Sequence, residues 1–130
     1  MGSPRGRKRR HRLAKFLRVS YPLENALFQW EEGHRNIAAL RQEAGGVRDT
    51  DRALRALADE LRRRIGPTFT AVELAQLYAE GTDWCSQVAL DTGATAEPQD
   101  LADAAFWLYL RGARDFSGGR QLSPEEAAGI

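Results

Sequence analysis

Glu31, Glu32, Gly33 and His34 form the run with metal character in this chain. A Glu and a His three residues apart lie on one helix face and can both reach an ion held in a bundle core. Carboxylate-bridged bundles place that spacing on two helices and add a Glu from each of two others. Here the pattern occurs once, and the second histidine, His11, stands among the N-terminal arginines. A twofold dimer would supply the second copy, with Glu60, Glu73 or Glu80 as the added carboxylate. The competing reading is a solvated helix face, where Glu and Arg are common. No metal is therefore assigned, and Glu31 and His34 stand as the candidates of a dimeric metal-binding bundle.

Other chemistry is thinner. Cys85 has no partner cysteine and, apart from His34, no histidine on the body to act as its base, so a small core residue is the expected role. Gly45-Gly46 and Gly118-Gly119 lack the spacing and lysine of a phosphate loop or dinucleotide fingerprint and read as helix stops. No serine sits in a nucleophile elbow. The chain is expected to be no enzyme, with no catalytic residues and no cofactor.

Charge is the stronger signal. Residues 1 to 20 hold eight basic residues, Arg5, Arg7, Lys8, Arg9, Arg10, Arg12, Lys15 and Arg18, and no acid, although the whole chain balances 19 basic against 18 acidic residues. A net charge of +1 thus hides a basic arm on an acidic body. Such an arm attracts polyanions over a Debye length. Nucleic acid would be met through phosphates with little sequence preference. An anionic membrane surface would be met by the same charges with Leu13, Phe16 and Leu17 beside them. Folding back on the acidic body, or keeping a nearly neutral protein soluble, are duller uses.

The elements that must carry these residues are helical. Ser20 and Pro22 open a first helix reaching about Ala44, with Leu23, Leu27, Trp30, Ile37 and Leu40 at three- and four-residue steps and a gap at Gly33-His34. Asp49-Thr50-Asp51 offers capping oxygens to a second helix striped by Leu54, Leu57, Ala58, Leu61 and Ile65, which Gly66-Pro67 ends. Thr70-Ala71-Val72-Glu73 is a capping box, with Phe69 and Leu74 placed as a hydrophobic staple. A third helix should run from it through Gly81 and Trp84 to Val88. A fourth, after Pro98, should reach about Phe116 and is apolar nearly all round. Such a helix is either central or buries its second face against a partner. Few β-branched residues and no period-two run exclude sheet.

These features predict an all-α protein: a four-helix bundle or two packed antiparallel helical hairpins at residues 20–117. Residues 1–19 are expected to be a largely disordered arm, and residues 118–130 a tail with a short helical turn at Ser123–Glu126. At 130 residues one core suffices without disulfide or metal. A lone cysteine fits a reducing cytoplasm, and neither a signal peptide nor a membrane-spanning run is seen. With 17 Arg against 2 Lys and 20 Ala, the composition reads as bacterial, from a GC-rich genome.

Thr70 to Leu90 invites a helix-turn-helix reading, but Ala79 stands where the turn glycine belongs and the segment Thr82 to Gln87 has no Arg or Lys for phosphates. The expected function is a small cytoplasmic adaptor. Its bundle docks a protein partner or a second copy through Phe106, Trp107, Tyr109 and Leu110, with Phe28 and Trp30 as further candidates, although Trp30 and Trp84 sit on the main helix stripes and are expected in the core, and its arm contacts a polyanion. A nucleic-acid-binding regulatory protein is the alternative; it requires positive charge to continue from the arm onto the body.

Overall fold

The computed structural model describes residues 20–42 and 47–112. The arm at 1–19, with its eight basic residues, and the tail at 118–130 lie outside the described residues. What is described is all-α: α1 (Ser20–Arg41), α2 (Val47–Ile65), α3 (Ala71–Ala79), α4 (Asp83–Asp91) and α5 (Pro98–Arg111), with no strand among these residues.

Local chemistry accounts for most of the boundaries. Val47 already lies in α2, so Asp49, Thr50 and Asp51 are its first turns rather than its cap; Asp51 instead pairs with Arg41 of α1 at 2.9 Å across the connection. The anticipated stripe is the buried face of α2, with Leu54, Leu57, Ala58 and Leu61 all inside. Gly66, at φ 84°, turns the chain away in a conformation that side chains avoid. The capping box is complete: Thr70 Oγ1 accepts from the Glu73 amide at 3.0 Å, and Glu73 Oε1 accepts from the Thr70 amide at 2.8 Å. Phe69 is buried, and the ring it stacks on is Tyr109, at 5.3 Å between centroids.

Two helix ends differ from expectation. The single third helix is two, because Glu80 caps α3 and the chain leaves helical geometry at Gly81, at φ 121°, before Asp83 starts α4. The fourth predicted helix, α5, ends at Arg111. Gly112 takes the left-handed conformation at φ 64° and its N–H closes on the carbonyls of Leu108 and Tyr109, the usual glycine stop.

α5 is the centre of the fold. It packs most extensively on α1, then on α2 and α4, and touches α3. Ala102, Ala104 and Ala105 are buried on it together with Leu101, Phe106, Tyr109 and Leu110. Close approach to α1 is made at Gly33, where a Cβ would overlap that of Asp103 and lie 3.0 Å from the Asp100 carbonyl and 3.2 Å from the Ala104 amide nitrogen. The interruption at Gly33 in the first helix is thus the seat of α5.

Candidate functional site

The central aromatic cluster is structural. Trp30 of α1 stacks on Phe106 of α5 at 5.3 Å and meets the Tyr78 ring edge-on at 5.6 Å, with Trp84 tilted against Phe106 from α4. Arg64 of α2 lies 4.3 Å over the Trp84 ring while its Nε holds Glu60 at 3.0 Å. Beneath this cluster the Asp103 carboxylate is buried and accepts from the Tyr78 hydroxyl at 2.8 Å and from Gln99 Nε2 at 3.0 Å. Thr82 donates to Gln99 Oε1 at 3.3 Å. The network ties α3 and the Gly81 turn to α5, which gives the buried Asp103 side chain hydrogen-bond partners and fixes the register of both. Trp30 Nε1 is buried with no acceptor among the described residues.

This packing corrects the expected docking face. Phe106, Tyr109 and Leu110 lie in the core, and Tyr109 also donates its hydroxyl to the Gly66 carbonyl at 2.9 Å. α5 is packed on α1, α2 and α4, and its Trp107 and Leu108 are partly buried. Trp107 is half-buried, with the Arg111 guanidinium 5.7 Å over its ring and His34 at 6.5 Å. Trp30 is fully buried, whereas Phe28 is 55% exposed.

The metal candidates are engaged otherwise. Arg35 ion-pairs with Glu31 at 3.6 Å and with Glu32 at 3.1 Å. Burial holds the His34 imidazole below its ordinary value, Arg41 adds to the effect and Glu31 opposes it. No three His, Cys, Asp or Glu side chains come together as a metal set among the described residues. Cys85 is buried, and burial pushes its thiol up to about 12, far from the thiolate a nucleophile requires.

Charge on the body is sorted by helix. α2 carries six arginines against four acids. Residues 66–112 carry Arg111 alone against seven acids: Glu73, Glu80, Asp83, Asp91, Glu97, Asp100 and Asp103. Arg48, Arg52 and Arg55 are exposed at steps of four and three on α2, beside Val47, Asp49 and Asp51. α3 and α4 do form two helices about a short turn, yet Asp83, Gln87, Leu90 and Asp91 are the exposed residues of α4, a surface that repels phosphate.

No protein-family model, curated protein or solved structure matches the chain.

Proposed function

We propose that the chain is a small non-enzymatic helical interaction protein whose basic arm contacts a polyanion and whose body docks a protein partner or a second copy. The helical body is read as a bundle of hairpins gathered around α5. One observation supports the polyanion reading: α2 carries six arginines against four acids, whereas residues 66–112 carry Arg111 alone against seven acids. A polyanion drawn in by Arg5, Arg7, Lys8, Arg9, Arg10, Arg12, Lys15 and Arg18 is attracted by the arginines of α2 and repelled by the acids of the α3 to α5 segment, which favours contact through α2. The nucleic-acid alternative needs positive charge beyond the arm, and α2 favours it. For the protein partner, Phe28 and the accessible part of Trp107 are the aromatic contacts available on the folded body.

The test is binding of the full chain, and of a chain with those eight basic residues changed to Gln, to duplex DNA, RNA and anionic vesicles between 50 and 200 mM salt. Six to ten phosphate contacts cost roughly 10³–10⁵ in affinity over that range. A steep salt dependence of that order, lost on neutralising the arm, supports the reading. Absence of binding to all three targets overturns it.

A further inference from the structure

We propose that Arg48, Arg52 and Arg55 of α2 form a second, folded contact for the phosphate backbone of nucleic acid, so that the arm and the body grip the same strand; this rests on the polyanion reading above. The first support is what the other arginines of α2 already do. Arg62 reaches Asp59 at 3.4 Å, Arg63 reaches Glu60 at 2.9 Å, and Arg64 divides itself between Glu60 and the Trp84 ring. Such pairs are the ordinary use of charge on a solvated helix. Arg48 and Arg55 are exposed and have no carboxylate within ion-pair distance among the described residues, and Arg52 reaches Asp49 only at 3.8 Å.

Geometry supplies the second support. At 1.5 Å rise per residue, the four- and three-residue steps set the three guanidinium stems about 6 and 4.5 Å apart along one helix face. That face is the exposed side of the start of α2. Among the described residues the acids beside the row are Asp49 and Asp51, and Asp51 is paired with Arg41 at 2.9 Å. Among the described residues the site therefore presents a row of cations with Asp49 as the opposing carboxylate.

The choice of nucleic acid over a membrane follows from what α2 does with its apolar side. A helix that lies in a membrane interface inserts an exposed hydrophobic face. The hydrophobic face of α2 is spent on the core through Leu54, Leu57 and Leu61, and Val47 is its one exposed large apolar residue. What faces outward is charge without an insertion surface. Three guanidinium groups can each take phosphate oxygens in the fork geometry that lysine lacks.

The experiment compares two triple variants of the full chain with the unchanged protein on a 20-base-pair duplex and on a single-stranded RNA, by fluorescence anisotropy over the same salt series. R48Q/R52Q/R55Q removes the row. R35Q/R62Q/R63Q removes the same charge from exposed arginines that already sit in ion pairs. Both are checked for unchanged helicity. If the row contacts phosphate, R48Q/R52Q/R55Q flattens the slope of log K against log salt by about 2.7 on duplex and about 2 on single strand, at about 0.9 and 0.7 per contact. The control triple then leaves the slope nearly unchanged. Equal effects of the two triples, or no effect of either while the full chain still binds, overturn the row and leave the arm as the sole contact. Binding to phosphatidylserine vesicles but to neither nucleic acid overturns the choice of ligand. No binding to any of them removes the underlying polyanion reading as well.

Discussion

Gly33→Ala places two physical effects in direct opposition. Inside a helix, glycine costs about 1 kcal/mol relative to alanine, so propensity alone makes the substitution stabilising. Packing argues the other way. The new methyl would overlap the Asp103 Cβ and press on the Asp100 carbonyl and the Ala104 amide, which are backbone or backbone-anchored atoms that no rotamer change can move. Relief must come from separating α1 and α5, the most extensive contact in the fold. Overpacking of this kind costs about 1–3 kcal/mol, and here the unyielding neighbours put it toward the upper end. The net expectation is destabilisation by about 1–2 kcal/mol, which lowers the midpoint of a domain of this size by about 4–8 °C per kcal/mol. Thermal and urea denaturation followed by circular dichroism read it out, with the exposed Ala39→Gly on the same helix as the propensity control. A Gly33→Ala protein more stable than the parent would refute the close approach of α5.

Three further expectations concern stability. Asp103→Ala strands the Tyr78 hydroxyl and the Gln99 amide at a buried site and should destabilise by about 1–3 kcal/mol; a double-mutant cycle with Tyr78→Phe should return a coupling of at least about 0.5 kcal/mol. Cys85 should resist thiol reagents at neutral pH until the protein unfolds, measured as labelling rate against denaturant. Because burial raises its folded value from 9.0 to about 12, the unfolded chain releases the proton first, so this contribution to stability is intact below pH 9 and is lost as pH rises toward 12. Burial raises Tyr109 in the same sense, against the opposing charge of Arg62, so alkaline denaturation profiles of Cys85→Ala should show a smaller loss over that window without abolishing it. Thr70→Ala removes the acceptor of the Glu73 amide in the capping box and should cost about 1 kcal/mol in denaturation experiments.

What could be read in advance divides along physical lines. The capping box at Thr70 and Glu73 and the stripe Leu54, Leu57, Ala58, Leu61 were legible because each is a local pattern whose chemistry is complete within one or two turns. The break at Gly81 was not, because Leu77, Tyr78, Trp84, Cys85 and Val88 continue at helical spacing across it and a positive φ leaves no mark on hydrophobic period. Gly112 falls four residues after Leu108 and so imitated a helix-face position. The aromatic residues of α5 posed a choice that periodicity cannot make: a helix apolar all round is enclosed by its own chain or by another. Phe106, Tyr109 and Leu110 are enclosed by their own chain. Asp103 gave no signal because its partner Tyr78 lies 25 residues away in sequence.

Chemical-shift mapping of the full chain against a short duplex, followed amide by amide, tests the orientation of the body most directly. Perturbations centred on Arg48, Arg52 and Arg55, fading along α2 and absent from the acidic surface of α4, are the predicted result. Perturbations gathered on Asp83 to Asp91, or confined to the arm with the amides of α2 unmoved, would contradict it.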